Sequence, residues 1–213
     1  MAADWPGAGI RIDAPRVTLR PVDERHVGLL QAILPEDLEL DPAVAVGPGD
    51  PRRARAQAFG RILQRDRDRF STESWKLHLA VRAAGELVGM QTVEAERFAS
   101  DHTVDSASWL APTFRGDGLG TAMREAVLAF AFFGLGATTA VSSAWHDNAA
   151  SLGVSRRLGY RFDHTSRLPR GDVDDELVHV RLTRTDWLAS GLGRDVAISG
   201  VRPELFGGGG PTC

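Results

Sequence analysis

Chemistry in this chain begins at Phe114-Arg115-Gly116-Asp117-Gly118-Leu119-Gly120-Thr121-Ala122, a glycine turn that runs into an apolar helical stretch reaching about Phe133. Three glycines at alternate positions leave backbone N–H groups uncovered where a helix begins. Those amides and the positive end of the helix dipole favour an anion. A second polar helix start, Asp147-Asn148-Ala149-Ala150-Ser151, places a hydroxyl one turn beyond an amide side chain. Candidates for moving a proton are Glu94, Glu96 and Asp105 on predicted strands, and His78, His102 and His146. A carboxylate that titrates near about 4.3 is a poor base at neutral pH unless burial raises it or a water relays the proton. No His, Cys and Asp spacing reads as a metal site, so no metal is expected.

The elements that must position these residues alternate in period. Arg16 to Pro21 reads as a first strand, and Asp23 as the N-cap of a helix carrying Val27, Leu30, Ile33 and Leu34. A loop from Pro35 to Pro51 holds four prolines and an acidic bias, long enough to be functional, and it is expected to overhang the acceptor site. Pro51 to about Phe70 is a second helix. Leu77, Leu79 and Val81 then alternate along one strand, and a turn at Ala84-Gly85 leads into another from Leu87 to Glu96. Thr103 to Leu110 is a strand that feeds the glycine turn, Thr138 to Ala144 follows the helix, and a short helix ends before Gly159. Tyr160 to Asp163 and Glu176 to Leu182 read as the last strands, joined by a polar segment. This order is α+β: helices, antiparallel strands, then a strand–turn–helix–strand unit with a right-handed connection. Residues 1–15 are expected to be an irregular arm, 16–188 a single domain, and 189–213 a partly flexible tail rich in glycine.

Composition narrows the classes. Charged residues at 25% and a net charge of −3 argue against a general nucleic-acid or anionic-membrane surface, so any phosphate must be held by local amides and a few basic side chains. Cys213 is the only cysteine, which excludes an internal disulfide and a cysteine-based metal site. No run of about 18 apolar residues and no basic-then-apolar N-terminus is present, so the expectation is a cytoplasmic protein.

The glycine turn admits four readings. A P-loop lacks its lysine after Gly120, and a dinucleotide fingerprint would need G-x-G-x-x-G where this chain has G-x-G-x-G. A tight turn without a ligand remains open. The fourth rests on Arg115-Gly116-Asp117-Gly118-Leu119-Gly120, which matches Arg/Gln-x-x-Gly-x-Gly/Ala and resembles the acyl-CoA motif of the GNAT superfamily of N-acetyltransferases. Ser108 to Gly120, and Asn148-Ala149-Ala150-Ser151 followed by Leu158-Gly159-Tyr160, resemble its RimJ/RimL-like branch.

The resemblance implies a mostly antiparallel twisted sheet of six to seven strands, splayed between the two middle ones and flanked by about four helices. It implies acetyl-CoA as co-substrate, with the backbone of Gly116, Asp117, Gly118, Leu119, Gly120 and Thr121 cradling the phosphates and Arg115 adding charge. Backbone groups of Trp109 and Leu110 would bond the pantetheine arm, and a backbone amide near Leu110 would face the developing oxyanion. Asn148 would bond a pantetheine amide, Ser151 would protonate the leaving sulfur, and Glu94 would serve as base; Asn148 and Ser151 are equally suited to helix capping. The expected acceptor is a primary amine, of a protein N-terminus or a small molecule. Acidic runs at Asp37, Glu39 and Asp41 and at Asp172, Asp174, Asp175 and Glu176 either attract a cationic acceptor or are solvated loops. The final strands and tail are natural places for homodimer contacts. The competing class is a catalytically silent acyl-CoA-binding or partner-binding module of the same fold.

Overall fold

Among the described residues the chain forms nine strands, numbered in order: β1 (Arg11–Asp13), β2 (Thr18–Pro21), β3 (Ser74–Ala83), β4 (Glu86–Glu96), β5 (Thr103–Leu110), β6 (Thr139–Trp145), β7 (Arg161–Arg170), β8 (Val173–Thr183) and β9 (Ala197–Ser199). The same residues form six α-helices, α1 (Glu24–Ala32), α2 (Pro51–Asp68), α3 (Phe98–Asp101), α4 (Leu119–Ala129), α5 (Ala149–Arg157) and α6 (Arg184–Ser190). The computed structural model describes residues 5–208, so Cys213 and the end of the glycine run lie outside it. The strands form one sheet in the order β7-β8-β6-β5-β4-β3-β2-β1-β9, antiparallel except where β5 meets β6.

The expected splayed sheet is present, with more strands and helices than six to seven and about four. The surplus lies where composition alone argued for looseness. Ile10 and Ile12 of the presumed arm are buried, and β1 pairs with β2 on one side and β9 on the other. Past α6, Phe206 is fully buried against Trp75, Phe70 and Phe130, and its carbonyl accepts the Trp75 indole N–H at 3.0 Å. The segment between the last two predicted strands is largely strand as well, because past a register shift between Phe162 and His164 β7 and β8 pair continuously from His164 and His179 to Arg170 and Val173.

Two cores sandwich the sheet. One lies under α4, where Leu119, Met123, Val127 and Phe130 meet Leu77, Leu79, Val93 and Val104. The other lies under α1 and α2, where Leu30, Phe59 and Leu63 meet Met90 and Trp109. The β3–β4 hairpin carries one extra residue, Val88, which shifts the register between Val81 and Arg82. Gly89 beside it has a packing reason to lack a side chain: a Cβ there would lie 2.2 Å from the Trp109 carbonyl oxygen. β4 can therefore press against β5 at the level where the glycine turn begins.

Candidate active site

β5 and β6 run parallel, and their ladder ends early. Only Thr103, Val104 and Asp105 pair with Thr139, Ala140 and Val141. Beyond that point the backbone ladder of Ser106–Leu110 runs to β4 alone and that of Ser142–Trp145 to β8 alone, with the Ser142 hydroxyl on the Ser106 carbonyl as a side-chain bridge at the base of the splay. The two strands part and open a cleft of about 540 Å³, lined by Ser106–Leu110 on one wall, Ser143–Trp145 on the other, and Gly120, Asn148 and Ser151 from the helices above.

The helix that starts at the glycine turn differs from its neighbours. α1, α2, α5 and α6 are each capped by a side-chain oxygen, from Asp23, Asp50, Asn148 and Thr183. α4 begins on Gly118 at φ +76° with no side-chain cap, and Gly116 stands at φ +94°. The amides of Leu119, Gly120 and Thr121 therefore precede the first helical hydrogen bond, which Ala122 makes to Gly118. This is an anion cradle. Asp117 is exposed at the tip, while the Leu119 side chain is 7% exposed in the core, so only its backbone reaches the cradle. Gly120 leaves the cleft open between Val154 and Leu110.

Charged side chains gather at the mouth. Arg115 donates to the Leu110 carbonyl at 3.2 Å and forks onto Asp37 at 2.6 and 2.8 Å. Glu39 accepts from the Trp145 indole at 2.8 Å and from Arg170 at 3.1 Å. Arg170 lies over the Trp145 ring and also binds Asp147 and Asp175. The proline-rich loop thus overhangs the cleft, tied to one arm of the splay by Asp37 and to the other by Glu39. Its Asp37, Glu39 and Asp41 are already matched with Arg115, Arg170 and Arg65. Arg16 was not anticipated: its guanidinium sits over the glycine turn, 3.1 Å from where a Gly118 Cβ would be.

At the helix start Asn148 accepts the Ser151 N–H at 3.0 Å, so it caps α5 and lines the cleft at once. Trp109 and Leu110 also line it, although the Trp109 ring turns away to pack edge-on against Phe59. Glu94 does not line the cleft. It pairs with Lys76 and faces an adjoining groove of about 320 Å³ that also holds Glu96, Asp101 and Asp105. Asp105 sits at the last paired position of β5, where the strands part. Burial, reinforced by the charge of Glu94, pushes its carboxyl up to about 6. His78 is committed to Thr92 and Asp66, His102 packs on Phe98, and His146 pairs with Asp175 at the rim. Among the described residues, no group of three His, Cys, Asp or Glu side chains is arranged to hold a metal, and no helix is long and apolar enough to cross a membrane.

Residues 16–161 match the family model of the acetyltransferase (GNAT) domain. The chain belongs to the GNAT acetyltransferases. Solved structures of the same fold include Mycobacterium smegmatis RimJ in complex with CoA-disulfide, at 19% identity and TM-score 0.66, covering 88% of this chain and 96% of that one. RimL, a ribosomal L7/L12 alpha-N-protein acetyltransferase in complex with coenzyme A, matches at 18% identity and TM-score 0.62, covering 80% and 95%. A spermidine N-acetyltransferase SpeG chimera from Vibrio cholerae and hSSAT matches at 11% and 0.63, covering 81% and 98%. At identities of 11–19% these neighbours share the fold. In this GNAT domain the splay, the uncapped α4 and the Asn148–Ser151 helix start occupy one cleft.

Proposed function

We propose that the chain is an N-acetyltransferase that moves an acetyl group from acetyl-CoA to a primary amine by direct attack in a ternary complex. The observation that carries this reading is the convergence on one cleft of an uncapped helix N-terminus, a one-sided strand edge and a serine hydroxyl. These residues fit coenzyme A. The amides from Gly116 to Thr121, with Arg16 and Arg115, offer a pyrophosphate its partners, and the free edge of Ser106–Leu110 offers the pantetheine amides theirs. Asn148 faces the same arm. Arg115 would exchange Asp37 for phosphate, since both need the same outer nitrogens.

The thioester supplies an acyl carbon that an amine can attack. A backbone N–H of β5 near Leu110 stabilises the oxyanion that forms. Ser151 donates its proton to the departing sulfur. For the amine's proton, the geometry supports Asp105 over Glu94. Asp105 stands where the strands part and has a carboxyl raised towards neutrality, whereas Glu94 is held by Lys76. The groove beside Asp105 is a route for the acceptor, a peptide N-terminal α-amine or a small-molecule amine.

Thiol release from acetyl-CoA with a panel of amines tests the reading. Ser151→Ala is expected to lower kcat by about 10²-fold while KM for acetyl-CoA moves little, because the hydroxyl acts as sulfur leaves. Coenzyme A binding without thiol release from any amine, unaffected by Ser151→Ala, would instead favour a silent binding module. Arg16→Ala is expected to weaken coenzyme A by about fivefold, as one exposed charge-assisted contact is lost. Calorimetric titration checks it, and an unchanged Kd removes Arg16 from the phosphate site.

A further inference from the structure

Among the described residues, one buried charge of the cleft has no carboxylate in direct contact. Arg124, one turn past Gly120 on α4, lines the cleft and is only 3% exposed. Among the described residues its single hydrogen bond runs from Nη1 to the Ser142 hydroxyl at 3.1 Å, and that hydroxyl donates to the Ser106 carbonyl at 3.0 Å. Nε has no partner. The groups packed around it, Ser106, Ser142 and Tyr160, are neutral, and burial pushes the Tyr160 hydroxyl further up. The nearest acids, Asp105 and Glu94, face the groove on the opposite side of the sheet, because Asp105 and Ser106 alternate across the strand; the Asp105 charge is felt by Arg124 through the sheet without a direct contact. A buried guanidinium with five donors and no carboxylate is costly unless an anion completes it.

The pyrophosphate cradle lies a turn away at the mouth, so the anion that Arg124 suits must arrive by the deep end, where an acyl group would finish. Resting on the reading of this cleft as the acyl-CoA site, we propose that Arg124 makes its end an anion-accepting acyl pocket, so that the protein also takes CoA thioesters whose acyl chain ends in a carboxylate, of the succinyl class. The distal carboxylate turns to the α4 face and pairs with Arg124, while the amine enters from the Asp105 face. In the transfer the amine nitrogen bonds the acyl carbonyl carbon and the carbon–sulfur bond breaks. Sulfur leaves and takes the Ser151 proton to become the thiol of coenzyme A, Ser151 is reprotonated from solvent as it gives up that proton, the amine's proton passes to Asp105, and the distal carboxylate is unchanged.

The test compares succinyl-CoA with isocaproyl-CoA, in which methyl groups replace the two carboxylate oxygens, so that size is held and charge is removed. Thiol release by the full chain is measured for both, beside acetyl-CoA. The expected result is a kcat/KM about tenfold higher for succinyl-CoA, with Arg124→Met bringing the ratio to within about twofold of one and Arg124→Lys retaining part of it. A purely structural Arg124 would lower both donors together and leave their ratio standing, which overturns the proposal. Equal use of the two donors by the unaltered protein also overturns it, whether or not the variants fold, and leaves acetyl transfer intact. Release from none of the three thioesters removes the acyl-transfer reading itself, and this inference with it.

Discussion

Asp105→Asn is expected to lower kcat by about 10²-fold near pH 7.5 and at the same time to make the protein more stable at alkaline pH. The kinetic half follows from position. The residue stands at the end of the β5–β6 ladder with its carboxyl in the groove on the far side of the sheet from the cleft, and its pKa of about 6 leaves it ionised but basic enough to take an amine's proton. The unaltered enzyme should show an acid limb near about pH 6 in kcat/KM, and the variant should lose that limb with its activity. The thermodynamic half follows from linkage. The folded-state value lies above the ordinary 3.8, so the native state holds this proton more tightly than the unfolded chain. Stability from this group is fully present below the unfolded value and is lost as pH rises through about 6. Above that the fold carries a buried anion at a cost of about 3 kcal/mol, which the asparagine removes. Urea unfolding at about pH 8 and about pH 4 should show the variant ahead at the first and level at the second. A variant with full activity would return the role to Glu94 or to solvent.

Phe206→Ala is expected to cost about 3–5 kcal/mol, a large share of the stability of a domain this size. The ring is fully buried and meets Trp75, Phe70 and Phe130 edge-on at centroid distances of 5.1, 5.3 and 6.4 Å. Removing it leaves a cavity between aromatic walls that cannot collapse, and it loosens the segment whose carbonyl satisfies the Trp75 indole. Thermal unfolding followed by circular dichroism should show a drop of about 10 °C. A loss under about 1 kcal/mol would mean that residues past α6 ride on the fold without supporting it.

That contrast marks how far sequence reasoning reaches. The turn at Ala84-Gly85, the strand from Thr103 to Leu110 and the helix after Asn148 were legible because each has a local cause: positive-φ turn geometry, alternation, or a capping side chain. The glycine turn was legible for the same reason, since glycine alone occupies φ +94° and +76° without strain. Phe206 and Ile12 were not, because a lone aromatic in a glycine-rich stretch and a three-residue strand gain their order from partners more than a hundred residues away. The site divides likewise. Asn148 and Ser151 declare themselves by spacing. Whether Glu94 or Asp105 serves the chemistry depends on Lys76, one strand over, which claims Glu94. Arg124 sits beside Glu125 in a largely apolar helical stretch that read as core packing, and the basic residue between Met123 and the apolar Ala126 and Val127 was the signal available.

The central claim is that the splay between β5 and β6 is the seat of the acyl donor, and a crystal structure grown with coenzyme A tests it most directly. The account predicts pyrophosphate on the amides of Gly116 to Thr121, the pantetheine arm along Ser106–Leu110, and the sulfur within reach of the Ser151 hydroxyl. Coenzyme A bound elsewhere, with α4 bearing no phosphate and Arg115 still forked onto Asp37, would contradict it.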